Sequence, residues 1–473
     1  MTANTTANAV APPTRPRTFF GHPIGLGFLA FTEAWERFSF YGMQTLLVLY
    51  MVDLALKPGH VEHILGFGAL RGFIHMITSG RLTVQALASQ VFGLYTATVY
   101  VTPLLGGWIG DNWLGRTRAI LFGASLMAVG QFLMVFEASF VIALVCLVFG
   151  AGFIKGNIAA QVGALYPDDH ARRDEAFQIF VLAVNAGVIA APLICGTLGE
   201  LLGWRYGFMA AGVGMLFAIG IYLSGRRDLP ADIIDTRNTT TRTPLTREEW
   251  GRIVALVALV PIIAVAFVIN NQIYNAYIVW AQDTANLSIF GWHMPVTWLL
   301  AYDAGVSTAF LAAAVFVWRW LANKGIAPHE LTKMAVGCAI TILGALWLAL
   351  AAYVSGTGKV ALPWLIVFHI INTVGFVSLY PFAMALFSRA APPSVNAMMI
   401  GIFYLSLFGT NLMVGWVGAL YSSLPHTTFW LVHAGFAATS TVAILLFYRP
   451  LRKALTPETG DYRAGTTVAT QDR

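Results

Sequence analysis

The chain alternates between long apolar runs and short polar connections. Each run is close to the roughly 20 residues that a helix needs to cross the hydrocarbon core of a bilayer. The runs cover about 19–52, 91–109, 119–136, 140–166, 176–202 and 206–224, and then, after a long polar stretch, 253–280, 296–321, 334–354, 362–387, 397–420 and 428–448. This pattern predicts an all-α integral membrane protein of about twelve transmembrane helices in two six-helix bundles.

Composition limits the classes of protein to which the chain can belong. Of its 473 residues, 58% are hydrophobic and 11% are charged, and the mean hydropathy is +0.70. These values exclude an ordinary soluble domain and are typical of a polytopic membrane protein. The net charge of +6 does not indicate a nucleic-acid partner, because the basic residues are scattered through the connections. The three cysteines lie far apart in apolar runs and predict neither disulfides nor a metal site.

The distribution of Lys and Arg predicts the orientation of the chain. Basic residues collect in alternate connections and in both tails, and they favour the cytoplasmic side, so both termini are expected in the cytoplasm. The predicted units are a disordered tail at 1–18, bundles at 19–225 and 253–448, a linker at 226–252 and a tail at 449–473. Such an arrangement favours a transporter whose halves move about a site near the membrane midplane.

Three ionisable side chains lie within the first apolar run. Glu33, Glu36 and Arg37 are spaced i, i+3, i+4, which places them on one face of a helix. A charge near the centre of a spanning helix costs about 2.5 to 3.5 kcal/mol, so such residues usually face a bundle interior or a water-filled path. We interpret the cluster as a proton-binding and substrate-binding site, in which Arg37 keeps one carboxylate ionised while the other takes up a proton. The alternative is an ion-pair cluster that only stabilises helix packing.

Further polar candidates lie in the second, fourth and fifth runs. Lys155 lies about midway along the fourth run, and a buried ammonium needs an anionic partner, for which Glu33 and Glu36 are available in this half. A purely structural pairing of the lysine is the alternative. Asn185 lies among small residues and predicts either a ligand contact or a hydrogen bond between helices. Tyr100 offers a hydroxyl group to a ligand but could equally pack.

The connection after the second run combines small residues with one acid and two arginines, which are Asp111, Arg116 and Arg118. Its glycines allow helices to approach closely, and Asp111 can pair with an Arg and release it as the halves move. This segment, 106–118, resembles the loop signature of the major facilitator superfamily and predicts a gating element. The alternative is a simple topological anchor at the cytoplasmic end of a helix.

Three motifs, taken together, point to a narrower family. They are Glu33-x-x-Glu36-Arg37-Phe38-x-x-Tyr41-Gly42, then Lys155-Gly156-Asn157, then Phe177 to Gly187 followed by Gly203-Trp204. Together they resemble the proton-dependent oligopeptide transporter family, from about 22 to 448. The resemblance implies a facilitator-type fold and symport of di- or tripeptides with protons. It also implies that the first-run charges take part in proton coupling, that Lys155 contacts them and the substrate carboxylate, and that Tyr41, Tyr100 and Asn185 line the peptide site.

The second half departs from the pattern of that family. Where the family usually has a Glu before the Gln of the seventh run, this chain has Asn271 followed by Gln272. Phe376 stands where a Glu of the tenth run is usual, Phe403 replaces a Trp of the eleventh, and Gln44 replaces a second Arg of the first. The resemblance still implies that all five residues lie at the substrate site. The losses look correlated, because an Arg and two opposing acids have become neutral.

Asp303 is the one acid that lies deep in an apolar run of the second half. By the resemblance, the Glu that Phe376 replaces is expected to receive a peptide's ammonium, and an aromatic ring offers only a weaker cation–π contact or an apolar surface. We hypothesise that Asp303 either takes over ammonium binding or marks a changed substrate class, such as peptides with a blocked or cyclised amino end. The alternative is that Asp303 lies near a helix end and is solvated.

The leading functional hypothesis is a proton-coupled symporter of di- and tripeptides or related small amides. In this hypothesis the protein acts as a monomer in a bacterial inner membrane, with protons as the coupling ion and no other cofactor. Two alternatives are a transporter of the same fold for a non-peptide, N-blocked or cyclic solute, and a ligand sensor that no longer transports. An enzyme is least favoured, because His75, His293 and His369 are scattered and no Ser, Cys or carboxylate is spaced as a nucleophile or metal site.

Overall fold

The computed structural model describes residues 18–78, 82–166, 169–232, 245–326 and 328–456, and this part of the chain is mostly helical. Its long helical segments are α1 (Ile24–Tyr50), α2 (Val84–Ile109), α3 (Arg116–Leu133), α4 (Phe140–Ala164), α5 (His170–Ala191), α6 (Trp204–Gly225), α7 (Arg247–Ala266), α8 (Trp298–Asn323), α9 (Glu330–Ser355), α10 (Leu362–Ala390), α11 (Asn396–Ala419) and α12 (His426–Leu446). The predicted tail at 1–18, apart from Thr18, and the end of the chain from 457 lie outside the described residues.

Ten of these segments are by themselves long and apolar enough to cross a bilayer. The other two, α2 and α3, have a lower mean hydropathy, and both pack against α4 within the first half. Polar residues on a spanning helix are tolerated where they face other helices instead of lipid. The predicted all-α membrane architecture is confirmed.

The structure corrects two predicted boundaries. α7 begins at Arg247, inside the predicted linker, because a capping box satisfies its first turn. Thr246 Oγ1 accepts from the backbone N–H of Glu249 at 3.2 Å, and Glu249 Oε2 accepts from the N–H of Thr246 at 2.8 Å. The predicted tail from residue 449 is helical at its start, because a short helix, Tyr448–Leu455, follows α12. Its Leu451 and Leu455 are buried.

The connections contain little regular structure. A short helix, Phe67–Ile77, lies between α1 and α2. Single helical turns lie at Val61–His63, Glu137–Ser139, Arg226–Asp228, Pro393–Val395 and Leu420–Ser422. The connections also hold three pairs of two-residue strands: Thr18–Phe19 with His22–Pro23, Ser288–Ile289 with Trp292–His293, and, in parallel, Ala285–Asn286 with Val360–Ala361.

The helices pack as two bundles that meet along two pairs of helices. In the first half α1 packs against α5 and α6, and in the second half α9 packs against α10 and α12. The halves contact each other mainly along α2 with α11 and along α5 with α8. At the first of these pairs the backbones touch, because a Cβ atom on Gly93 would lie 2.6 Å from the Cα of Gly415. Larger side chains at this crossing would therefore separate the halves.

Interruptions in α5 and α7 redirect the ends of both helices. Pro192 lacks an amide hydrogen, and from it α5 continues through one wide turn, Pro192–Gly196, into Thr197–Leu202. α7 continues as Val268–Gln272 and, after a break, as Ala276–Thr284. At that break Asn275 Nδ2 donates to a backbone carbonyl of α11 at 3.1 Å. This second break ends the helical segment that carries Asn270, Asn271 and Gln272.

Candidate functional site

A cavity of about 330 Å³ lies between the two halves. The predicted residues of the first half that line it are Tyr41, Gln44, Tyr100 and Asn185. The rings of Tyr41 and Tyr274 face each other across the halves with centroids 6.0 Å apart. The volume is in the lower part of the range of small-molecule sites. A short, compact solute therefore fits the cavity.

The charge cluster of α1 lies beside this cavity and is buried. Arg37 Nε lies 2.9 Å from Glu33 Oε1 and 2.6 Å from Glu36 Oε2, and Glu36 is fully inaccessible to solvent. One guanidinium therefore serves two carboxylates. Tyr41, one turn further along the same helix, lines the cavity and connects the cluster to it.

Lys155 lies close to this cluster, but its ammonium contacts aromatic rings and does not form the ion pair that the sequence predicts. Its Nζ lies 4.1 Å from the ring centroid of Phe40 and 5.7 Å from that of Tyr100. Arg37 Cζ lies 5.8 Å from the same Phe40 ring, so the two cations share one aromatic neighbour. Within the described residues the structure records no carboxylate within 4.0 Å of the lysine. The expected direct pairing with Glu33 or Glu36 is thus replaced by contacts with aromatic faces.

The short helical segment Val268–Gln272 of α7 turns only some of its amides toward the cavity. Asn270, Asn271 and Tyr274 line the cavity, and Asn271 Nδ2 also donates to the carbonyl of Phe267 at 3.2 Å. Gln272 was predicted to bind substrate, but it is fully buried away from the cavity lining. Its amide lies 3.2 Å from both the carbonyl oxygen of Val414 and the amide nitrogen of Gly418 on α11. Gln272 therefore satisfies the backbone of a neighbouring helix.

Aromatic residues form one wall of the cavity. Phe376 lines it and stacks on Tyr380, with centroids 5.2 Å apart and planes 18° apart. Phe403 was also predicted at the substrate site, but it lies behind this wall and is fully buried. Its ring packs against Tyr380 at 5.7 Å and Phe387 at 5.5 Å. The tenth-run position that carries a Glu in the resembled family is thus an apolar ring surface here.

Asp303 of α8 also lines the cavity. It is 7% exposed, and its Oδ1 lies 2.8 Å from Nδ1 of His369 on α10. This burial rules out the alternative of a solvated acid at a helix end. His369, scattered from the other histidines in the sequence, is thus part of a hydrogen-bonded pair in the fold.

Comparison with known proteins identifies the fold. The model of the Major Facilitator Superfamily matches residues 50–415. The peptide transporter YePEPT of Yersinia enterocolitica is 28% identical, over 85% of this chain and 88% of its own length. The di-/tripeptide transporter of Lactococcus lactis subsp. cremoris is 24% identical, over 94% and 98%. A crystal structure of the peptide transporter POT in complex with sulfate has a TM-score of 0.81 at 23% identity, covering 93% of this chain and 97% of that one.

This chain belongs to the Major Facilitator Superfamily. The narrower resemblance to the proton-dependent oligopeptide transporter family is confirmed, since the matched relatives carry peptide-transporter names and cover most of the chain. The protein is accordingly a multi-pass membrane protein of a transporter family.

The loop signature of the superfamily forms a compact turn in this structure. Arg116 Nε lies 2.9 Å from Asp111 Oδ1, and both side chains are partly exposed. Arg118 is exposed. Asp232, from the linker, accepts from the backbone N–H and the hydroxyl of Thr117 at 3.0 Å and so caps α3. The pairing of Asp111 with an arginine exists, while its release during gating stays a prediction.

Hydrogen bonds between the halves of this facilitator occur at one end only, within the described residues. Thr83 pairs with Ser422 at 2.9 Å, and Gln282 with Asp53 at 2.9 Å. These residues lie where α1 and α7 end and where α2 begins. The halves are therefore hydrogen-bonded to each other at that end. At the opposite end no hydrogen bond between the halves is recorded among the described residues.

Glu200 makes the densest of these contacts between the halves. Its carboxylate accepts from the backbone N–H groups of Val296 and Thr297 at 2.9 Å each, and from the Thr297 hydroxyl at 2.5 Å. Next to it, the Trp298 indole N–H donates to Thr197 Oγ1 at 2.8 Å. A carboxylate from the first half thus caps the first turn of α8 in the second half.

Several of these residues were missed in the sequence. Asn270, Tyr274, Ser307, Thr308 and Tyr380 line the cavity but are ordinary residues for apolar helices. Glu200 and His369 did carry a signal, because an ionisable residue inside an apolar run is a candidate for function in itself. Their partners lie in distant parts of the sequence, so only the fold reveals what each one contacts.

Proposed function

We propose that the protein is a proton-coupled symporter of di- and tripeptides that works by alternating access. The observation that supports this best is the buried cluster of two carboxylates and two cations beside the cavity between the halves. The named activities of the relatives agree with it. The proposal places the protein as a monomer in a bacterial inner membrane with both termini cytoplasmic, and it needs no coupling ion other than protons.

Charge balance gives the cluster a reason to couple protons to substrate. When Glu33, Glu36, Arg37 and Lys155 are all ionised, their charges cancel. A substrate carboxylate that enters adds one negative charge to a buried site, and an unbalanced buried charge is strongly disfavoured. One proton on a glutamate restores the balance. Binding of a carboxylate and uptake of a proton therefore favour each other.

The two cations of the cluster, Arg37 and Lys155, have different roles in this proposal. Arg37 is already shared by two carboxylates, whereas the contacts recorded for the Lys155 ammonium among the described residues are with aromatic faces. Lys155 is therefore the cation that can take the substrate carboxylate without first breaking an ion pair. Protonation of Glu33 or Glu36 weakens one of the two pairs of Arg37, which lets the charges rearrange as the halves move.

The conformation fits one stage of the cycle. With both termini in the cytoplasm, the end of the bundle that holds the contacts between the halves is the outer end. The cavity is then closed to the outside and the structure corresponds to an inward-facing state. Return to the outward-facing state requires the contacts of Glu200, Thr83 and Gln282 to break.

A Glu36→Gln variant in proteoliposomes tests the coupling role. This substitution keeps the size of the side chain and removes its charge and its titration. We expect the variant to retain exchange of labelled dipeptide across the membrane but to lose accumulation driven by a proton gradient. Glu248→Gln, at an exposed position at the start of α7, is the matched control and should behave as wild type. Uphill accumulation that is unaffected in Glu36→Gln contradicts the proposal.

The aromatic wall favours a second candidate function in the same fold. Phe376 offers an apolar surface where the resembled family has an acid, which suits a solute with a blocked or cyclised amino end. Uptake of N-acetylated dipeptides in preference to free dipeptides would support this candidate. A ligand sensor would instead show thermal stabilisation by ligand without flux in liposomes.

A further inference from the structure

A buried hydrogen-bonded chain connects three helices of the second half. His369 Nδ1 lies 2.8 Å from Asp303 Oδ1, and His369 Nε2 lies 2.9 Å from the hydroxyl of Tyr277. Asp303 is on α8, His369 on α10, and Tyr277 on the last part of α7. His369 and Tyr277 are fully buried, and Asp303 lines the cavity.

The imidazole of His369 keeps both of its hydrogen-bond partners in two protonation states. With a neutral imidazole, Nδ1–H donates to the carboxylate and Nε2 accepts from the Tyr277 hydroxyl. With an imidazolium, both ring nitrogens donate, and the hydroxyl turns to accept, since a phenol can do either. The ring nitrogens keep their partners in both states, and in the second state the hydrogen of the Tyr277 hydroxyl has no recorded acceptor among the described residues. The first state carries one negative charge and the second carries none.

Among the described residues, no other charged side chain is recorded in contact with Asp303 or His369. The charge of the pair therefore changes only when one of the two gains or loses a proton. Among the described residues, the titratable groups recorded near the pair are tyrosines of α7 and α8: Tyr277, then Tyr274, and Tyr302, whose ring lies 5.9 Å from that of His369. From α9, Gly344 lies against Phe368, the neighbour of His369. From α12, His433 is turned away and pairs with the carbonyl of Phe429 at 2.9 Å.

Asp303 presents its remaining acceptor capacity to the cavity. Only Oδ1 is used by His369 among the described residues, and Ser307, one turn along α8, lines the cavity beside it. Across the cavity lie Tyr41 and Gln44, on the helix of the balanced charge cluster. When His369 is neutral, Asp303 therefore gives this wall one negative charge that no other cation balances among the described residues. A cation that enters the cavity meets this charge.

We propose that Asp303 and His369 form a second proton site, which binds the ammonium of a free-amine peptide when His369 is neutral and loses that affinity when His369 is protonated. The inference rests on the proposed peptide substrate. It assigns the two ends of the substrate to opposite walls, the carboxylate to Lys155 and the ammonium to Asp303. At the second wall, a proton and the ammonium compete for one negative charge.

Two peptides that differ only at the amino end test this competition. The affinities of purified protein for Ala-Ala and for N-acetyl-Ala-Ala are measured at about pH 7 and about pH 5, which bracket the ordinary pKa of a histidine while the peptide's α-amino group, with a pKa of about 7.7 to 8.0, stays mostly protonated. The ratio of the two affinities removes pH effects at the Glu33 and Glu36 cluster, because both peptides carry the same carboxylate. In wild type we expect the preference for the free amine to fall by about 10- to 100-fold on acidification.

Three variants separate the roles of the residues. Asn at position 369 can keep a donor toward Asp303 but cannot titrate, so His369→Asn should give a ratio that does not change with pH. Asp303→Asn should lower the preference for the free amine by about 10- to 100-fold at the higher pH. His433→Asn, at a buried histidine outside the cavity, should keep the pH dependence of wild type.

The outcomes distinguish this inference from the proposed function. A ratio that is constant with pH in wild type, or one that still varies in His369→Asn, overturns the second proton site. Failure of Glu36→Gln to uncouple transport overturns the coupling role of the first half and leaves this ratio unaffected. If neither peptide binds at any pH, both the peptide substrate and the ammonium site are wrong.

Discussion

The contact of Glu200 with α8 should stabilise the state that is closed at the outer end. This carboxylate receives three hydrogen bonds from residues 296–297 of the other half. When the halves separate at this end, all three are lost together. Replacing Glu200 by Gln keeps one acceptor oxygen and removes the negative charge. We therefore expect Glu200→Gln to shift the protein toward the outward-facing state.

The size of the shift follows from the bonds that are weakened. A hydrogen bond to a charged group contributes about 1.5 to 3 kcal/mol, and a negative charge at a helix N-terminus contributes about 0.3 to 1 kcal/mol. Since the amide still accepts at one oxygen, a net loss of about 2 to 3 kcal/mol is reasonable. This corresponds to a change of about 30- to 150-fold in the ratio of closed to open protein.

Disulfide crosslinking across the same end measures this ratio. Thr83 and Ser422 already touch through their hydroxyls at 2.9 Å, so cysteines at both positions can crosslink only when this end is closed. The half-buried Cys146 is first replaced by Ser. Because the crosslinking rate follows the fraction of closed protein, it should be slower in Glu200→Gln, with the change in the ratio of about 30- to 150-fold as its upper limit. Glu137→Gln is the matched control, because Glu137 pairs with His60 of its own half. Equal rates in Glu200→Gln and the parent would refute the reasoning.

Three further predictions follow from the cavity and the helix crossing. Lys155→Gln should weaken binding of a free dipeptide by about 10- to 100-fold but not of its C-terminal amide, as measured by calorimetry. Phe376→Glu should restore a preference for free-amine peptides when added to Asp303→Asn, as measured by competition with the acetylated peptide; no rescue would place the two residues at separate subsites. Gly93→Val should lower the outer-end crosslinking yield, because its side chain would collide with Gly415 at a cost of about 1 to 3 kcal/mol.

The membrane fold could be predicted from the sequence because lipid imposes a simple rule. Every spanning segment must satisfy its backbone internally, so apolar runs of sufficient length become helices. The boundaries were less accurate where polar residues continue a helix beyond the apolar run. α7 is one example, since Thr246 and Glu249 cap it within the polar linker. α2 is another, because it begins at Val84, seven residues before the apolar run was expected to start.

Grouping of the charges on α1 also followed from the sequence, because their spacing alone places them on one helical face. Contacts between distant helices did not. Lys155 was expected to pair with a carboxylate, but Phe40 and Tyr100 surround its ammonium instead. Asn271 and Gln272 are neighbours in one helical segment, where successive side chains point in different directions, and only the fold shows that Gln272 meets α11 and Asn271 the cavity. The partner of Asp303 is equally a product of the fold.

Peptide-driven proton uptake in proteoliposomes tests the central claim most directly. A free dipeptide is added outside liposomes that contain a pH-sensitive dye, with no imposed gradient and with the membrane potential clamped. The account predicts that the lumen acidifies as labelled peptide enters, and that Glu36→Gln abolishes the acidification but not peptide exchange. Peptide entry without any acidification by the wild-type protein would contradict it.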